Sequence, residues 1–370
     1  MKHDGIRLRG GSAFHRDLRQ RVDVAFAGRS TAGGPAMWKK TATLAAAFAL
    51  LYALFIALGD NLLIAVLLAI PFGLVLAGHG FAVMHDGNHA AYSDDKRANR
   101  AMGLVLDLLG GSSYLWRHKH NHIHHSHPNI VGADDDLEAG WFLRMAPGQT
   151  LHGVHRWQHL YMWPLYGLIS MKWHLADDFN QLRAGQINGV PFAPPRGRDL
   201  AELVIGKILF FGWALALPIA LVGLVPALVF YVVSQFVLGV VLSTVFQLAH
   251  CVEEARFVVP PTGGDELTLD FATHQVETTV DFAPGNRLAT WYLGGLNYQT
   301  VHHLFPRICH IHYPEIARIV AATCHDHGID YRSHPTVRAA LASHYRWMKR
   351  MGRGEEALPA PAAEPAAAAA

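Results

Sequence analysis

Two long stretches of this chain lack Asp, Glu, Lys and Arg almost completely, and each is interrupted once by a short turn. Residues 41–58 form one uncharged run and residues 62–83 another, with only Gly59-Asp60-Asn61 between them. The stretch 208–252 is also uncharged, too long for one span, and Gly223-Leu224-Val225-Pro226 breaks it. A membrane-spanning helix needs about 20 apolar residues. The pattern therefore predicts four spans, at about 41–58, 62–83, 203–222 and 227–249, in two antiparallel hairpins. Helices buried in a soluble core seldom go so long without a charge. The expected fold class is an all-α integral membrane protein with a cytoplasmic helical cap.

Orientation follows from the basic residues beside the spans. Lys39 and Lys40 precede the first, Lys96, Arg97 and Arg100 follow the second, and neither hairpin link contains Lys or Arg. The N-terminus, residues 84–202 and everything after 250 are expected to face the cytoplasm. Residues 98–109 and 160–175 are apolar but short, and read as interfacial or re-entrant helices over the cytoplasmic mouth. Residues 191–198 read as a connector. Residues 1–36 read as a basic cytoplasmic arm, 37–350 as the membrane domain, and 351–370 as a disordered Ala/Pro-rich tail. No apolar run of a secretory signal opens the chain.

Composition sharpens this picture. Hydrophobic residues are 51% and charged residues 16% of 370, against roughly 25% charged in soluble chains. A net charge of +2 gives no support to nucleic-acid binding. The three cysteines form no CxxC pair, which argues against a thiolate-held zinc or iron–sulfur site. The outlier is 25 histidines, nearly as many as the 29 acidic residues.

Those histidines fall into groups. His85 and His89 sit four apart at the end of the second span, so they share a helix face. In the run His118-Lys119-His120-Asn121-His122-Ile123-His124-His125, His120 and His124 repeat that spacing, and His125 turns about 100° away on an α-helix. Gln299, His302 and His303 form a third group, and His250 ends the fourth span. Imidazole alone suits Zn, Cu, Fe or Ni. So many candidate ligands exceed the coordination of one ion, and two redox metals beside a membrane point to oxygen chemistry on a lipid-soluble substrate. Asp86, Asn88, Asn121 and Asp134–Asp136 are placed either to orient ligand imidazoles or to cap helices.

From about residue 80 to 315 the chain resembles the membrane fatty acid desaturases, whose three histidine boxes bind a non-haem di-iron centre. His85–His89 looks like the first box. Lys119–His125, followed by Asn129-Ile130 and Asp134-Asp135-Asp136, looks like the second. Gly294–Pro306, containing Gln299-Thr300-Val301-His302-His303, looks like the third. The resemblance implies His85, His89, His120, His124, His125, His250, His302 and His303 as ligands of two iron ions, with Gln299 a ligand or a support. O2 is the implied co-substrate. Gln299 is typical of the front-end, acyl-lipid branch, although Thr300-Val301 replaces that branch's usual Ile-Glu. His-Pro-Gly-Gly, the mark of a fused cytochrome-b-type domain, is absent from the sequence. A separate electron donor is therefore implied, such as ferredoxin or a cytochrome-b-type protein with its reductase.

The implied activity is insertion of a cis double bond into a long acyl chain that is linked to lipid, CoA or a carrier. The alternatives are a di-iron hydroxylase or ketolase on the same scaffold, a His-rich divalent-metal transporter, or a membrane b-type cytochrome. His118, His122, His127, His310 and His312 are expected to be structural or to support the ligands. His274, within Thr273–Thr279, is expected on an active-site cover. Tyr114, Trp116, Trp141, Trp157 and Trp163 are candidates for the substrate slot or for an interfacial aromatic belt.

Overall fold

The computed structural model describes residues 6–260 and 267–355. Four helices are long and apolar enough to cross a membrane: Gly34–Leu58, Leu62–Asn88, Gly197–Val222 and Leu224–His250. Each contains a predicted span and extends it on at least one side. Asn61 starts the second by accepting from the backbone N–H of Leu63 and Ile64. Gly223, at φ +105°, turns the third into the fourth, a conformation open to glycine. Pro71 lies inside the second helix without ending it.

The spans pack through aromatic and small residues. Phe55 stacks on Phe230 at 3.7 Å, within a core that also holds Phe72, Leu76, Phe81 and Leu248. A Cβ on Gly73 would lie 2.6 Å from the Ser234 carbonyl oxygen, so the second and fourth helices touch backbone to backbone there. Leu63, Leu67, Ile208, Leu221 and Val225 point outward and exposed, as apolar side chains do where lipid is the solvent.

The helix Gln158–Lys172 does not cover the mouth as expected. It lies along the fourth span, where a Cβ on Gly239 would meet the Gly167 carbonyl oxygen at 2.6 Å and Ser170 donates to the Gln235 carbonyl. Its Leu160, Leu168 and Ile169 are exposed. The segment 98–109 splits into Lys96–Gly103 and Val105–Leu108, close under the second span.

All four spans meet the polar part of the molecule at one end. Arg100, beyond the second span, pairs with Glu202 at the start of the third. Thr41, near the start of the first, hydrogen-bonds Tyr92.

The described part of the expected arm, residues 6–36, is not free. Ile6–Arg9 pairs in parallel with Leu267–Asp270, and Ala13–Ala25 is a helix capped by Ser12. Its Phe14, Leu18 and Val22 are buried among Val276, Val301, Ile316 and Val320. Arg21 pairs with Asp326 and Arg29 with Glu315. The basic residues that suggested a solvated arm lie on the outer face of an amphipathic helix. The first span itself begins at Gly34, inside the expected arm. At the other end, Val337–Arg353 is helical, so 351–353 belong to the folded body. The rest of the expected tail, beyond residue 355, lies outside the described residues.

Leu18→Asp, placing an unpaired charge in that contact, is expected to release the N-terminal helix. Trypsin should then cut at Arg16, Arg19 and Arg21 about tenfold faster than in the parent protein or more. An unchanged cleavage rate would contradict the packing.

Candidate metal centre

The histidines converge because four helical segments meet where the spans stop. The second span passes through a π-helical stretch, His79–Met84, before the turn that carries His85 and His89. The second group lies on another π-helix, Arg117–His124. The third lies on the short helix Gln299–Leu304, and His250 is the last residue of the fourth span. All eight implied ligand histidines are buried.

They sort into two clusters that cut across the three boxes. The nitrogens of His85, His89, His120 and His302 lie within 4.8 Å of one another, and so do those of His124, His250 and His303. His125 stands between, its ring 4.9 Å from His89, 4.6 Å from His302 and 4.5 Å from His303. Adjacent residues therefore serve different clusters: His302 faces one and His303 the other.

The π-helix explains His125. An α-helical wheel turns it away from His120. Here the His125 N–H donates to the His120 carbonyl, five residues back, and the two Nε2 atoms come to 3.2 Å. Such π segments occur often at functional sites.

Each cluster has partners outside it that fix ring orientation. His124 Nδ1 lies 3.0 Å from Asp134 Oδ1, and the same carboxylate accepts from the Asn129 and Asp136 backbone. His303 Nδ1 is 2.8 Å from Gln275 Oε1. His250 Nδ1 is 3.3 Å from the Thr278 carbonyl, and His302 Nδ1 is 3.2 Å from the Tyr313 hydroxyl. An acceptor on Nδ1 places the proton there and leaves the Nε2 lone pair facing inward. The Gln299 side-chain amide sits 3.1 Å from His250 Nε2, at the edge of the second cluster.

Most of the inward nitrogens then have nothing to bond. His85 Nδ1 and Nε2, and Nε2 of His89, His124, His302 and His303, are buried without a hydrogen-bond partner, as is His125 Nδ1. An unmade buried hydrogen bond costs about 1–3 kcal/mol. So many convergent lone pairs fit cations and little else. Burial, and then the crowding of imidazoles, holds His120, His125, His302 and His303 well below the ordinary histidine pKa, which keeps them in the neutral, metal-binding form. His124 is the exception: burial lowers it, but Asp134 and Asp136 outweigh that and raise it.

Several other residues depart from expectation. The segment Phe271–Thr278 is no cover. It is a buried helix whose Gln275 and Thr278 carbonyl orient two of the imidazoles, and His274 itself is buried beside it. Asp86 lies 3.8 Å from His85 Nδ1, but its closer contacts go elsewhere. Its carboxylate receives His310 Nδ1 at 2.8 Å and the Cys309 thiol at 3.1 Å, and Lys40 lies 2.7 Å from His310 Nε2. Asn88 ties the Met84 and Gly103 carbonyls together. His118, His122 and His127 stand outside both clusters. Gln275 and Tyr313 carry no sequence signal, because their roles exist only once distant segments are folded together.

Of the aromatic candidates only Trp116 reaches the apolar cavity beside the centre. Its ring stacks on His120 at 4.3 Å. Trp141 and Trp157 are exposed, Trp163 packs beside His344, and Tyr114 faces a separate surface depression.

The family model for fatty acid desaturase matches residues 60–335. The chain is similar to the sn-1 linoleoyl-lipid 6-desaturase of Synechocystis sp., 38% identical over 347 residues that cover 92% of this chain and 96% of the relative. The enzyme of the same name from Arthrospira platensis is 39% identical, over 93% of this chain and 94% of its own length. An acyl-lipid (8-3)-desaturase from Physcomitrium patens is 35% identical over 80% of this chain and 62% of its own.

Asp134→Asn keeps the shape of the His124 contact and removes its charge. Losses of outer partners of this kind typically weaken metal binding about 10–100-fold. Competition of the metal-loaded protein with a chelator measures this, and an unshifted affinity would dissociate Asp134 from the centre.

Proposed function

The chain belongs to the fatty acid desaturase family, and on that premise we propose that it inserts a cis double bond into a lipid-linked acyl chain, on the carboxyl side of an existing one. Two iron ions are the proposed cofactor, held by His85, His89, His120 and His302 on one side and His124, His250 and His303 on the other. His125 stands between them, and Gln299 is a ligand or a support at His250. The observation that carries the reading is the pair of buried clusters whose unpartnered nitrogens face each other. Bound iron supplies the reduction of O2 to two waters, with two electrons from a separate donor and two from the C–H bonds of adjacent methylenes.

The chain's own residues do the rest. An alkyl chain offers no polar handle, so selection of one carbon pair rests on shape and dryness. An apolar cavity begins at His85 and Trp116 and runs between the spans past Met84, Phe81, Leu242 and Leu238. From the level of His250 to that of Leu238 is about 18 Å at the α-helical rise. The cavity is narrow, ≈ 50 Å³, so an acyl chain must push Leu242, Phe246 and Met84 into other rotamers to enter. His120, His125, His302 and His303, kept neutral by burial, would hold metal without first losing protons. Asp134, Gln275, Thr278 and Tyr313 keep those rings aimed. The Lys and Arg residues beside the spans favour a cytoplasmic centre, where ferredoxin or a cytochrome-b-type protein with its reductase would deliver electrons. Membrane lipid is both solvent and source of substrate.

The desaturase reading is favoured over a hydroxylase or ketolase by the relatives. It is favoured over a transporter because the centre lies at the span ends, whereas transport sites usually lie at midplane.

Expression in a host fed defined fatty acids, with mass spectrometry of the lipids, tests the reaction. The expected product is two hydrogens lighter. A product heavier by one oxygen would make the chain a hydroxylase. His303→Ala should abolish product and lower bound iron while the protein still inserts. His327→Ala should leave activity close to the parent, because the His327 side chain pairs with Asp17 and packs on Phe14, outside both clusters.

Leu242→Trp, which fills the cavity, should cut turnover of long acyl chains about tenfold or more without loss of metal. Equal turnover in that variant would show that the chain lies elsewhere.

A further inference from the structure

His118 and His122 lie on the helix that carries His120, His124 and His125, but face the other way. Together with Tyr114 and Arg117 they form one wall of a surface depression of ≈ 560 Å³, and Val190–Ala193 form the other. The walls are tied by Tyr114, which donates to the Ala193 carbonyl at 2.5 Å, and by the His118 ring against Phe192 at 5.4 Å. No carboxylate lines the depression. Its polar groups are a guanidinium, two imidazoles four residues apart with rings 5.8 Å from each other, and a phenol already engaged. His118 Nε2 is buried without a hydrogen-bond partner. A guanidinium beside two imidazoles, with no carboxylate facing them, is suited to an acceptor-rich, anionic group.

Its place in the fold narrows the ligand. Ala193 comes four residues before the third span, Gly197–Val222, which puts the depression at the level where lipid headgroups begin. Trp116, next to Arg117, lines the apolar cavity and stacks on His120. One short helix thus separates the depression from both the acyl cavity and the metal centre. Arg117 also donates to Asn88 at 3.1 Å, one residue from His89. Oxidation near the carboxyl end leaves few carbons between the reacting bond and the ester, so the headgroup has to lie close by.

We propose that the depression formed by Tyr114, Arg117, His118, His122 and Val190–Ala193 binds the phosphate-bearing headgroup of the lipid whose acyl chain occupies the apolar cavity. This rests on the desaturase reading and assigns its substrate as a phospholipid.

The test uses the full-length, iron-loaded protein in nanodiscs, with the same acyl chains presented on phosphatidylglycerol or on uncharged diacylglycerol. His122→Ala, at an exposed position, and His118→Gln are compared with the parent, singly and together. The double variant should raise KM for phosphatidylglycerol about tenfold, with kcat within about twofold and KM for diacylglycerol unmoved. Iron per chain should be unchanged. Equal effects on both lipids, or none on either, would overturn the proposal. Loss of iron would overturn it too, by moving these histidines into the metal centre. Inhibition of both substrates alike by millimolar inorganic phosphate would reassign the depression to free phosphate. If the parent desaturates neither lipid, the reaction itself is misread. In that case phosphatidylglycerol retained in native mass spectrometry by the parent, and lost in His122→Ala, still decides the site.

Discussion

The whole structure turns on imidazole lone pairs that have been taken out of water and given nothing in the protein to bind. Eight rings, from His85 to His303, are buried where the spans end, and most of their inward nitrogens lack a partner. Left so, each would cost about 1–3 kcal/mol, a large fraction of a domain's net stability. The outward nitrogens are treated in the opposite way: Asp134, Gln275, the Thr278 carbonyl and Tyr313 each receive one. A protein that satisfies one side of a ring and starves the other has fixed both its tautomer and its direction. That cost is relieved only when cations bind, so folding and metal loading are linked.

That constraint dictates which elements are needed around the site. The rings come from the second span, the π-helix after Trp116, the end of the fourth span and the helix Gln299–Leu304. None of these holds its own ligands in place. The helix Phe271–Thr278 does so for His250 and His303, and the helix Tyr313–Asp326 does so for His302 through Tyr313. The N-terminal helix packs behind both, with Leu18 fully buried against them. The apparent arm is therefore a brace for the scaffold that aims the imidazoles.

The spans and the histidines that converge at their ends were legible in the sequence for a simple reason. Uncharged runs of span length and histidines at helical spacing are local patterns, and lipid and metal each impose them strictly. What escaped depends on contacts between distant segments. His125 was expected at the site, and only its direction differs from an α-helical wheel, because a π register leaves no periodic trace. Gln275 and Thr278 looked like part of a cover because nothing local ties them to His303 or His250. The N-terminal helix did leave a signal. Phe14, Leu18, Val22 and Phe26 recur every four residues and are all buried, but the arginines between them drew the reading toward a solvated arm. Trp141 and Trp157 were plausible slot residues by type, yet their exposure depends on where the loop 138–157 happens to lie.

A last asymmetry concerns what histidine spacing is able to encode. The clusters are suited to hold metal and fix how the imidazoles are oriented, but they make no contact that would distinguish one methylene from the next. That task would fall to the apolar cavity, which is built from other material: Trp116 forms its boundary with His120, and Phe81, Leu238 and Leu242 continue it between the spans. Its walls are apolar side chains in helices that must also satisfy lipid on their outer faces, so residue type there says little about shape. Chemistry is thus written in the polar end of the bundle, where spacing is readable. Selectivity is written in the packing of the spans, where one leucine or phenylalanine resembles another until the structure shows which way it points.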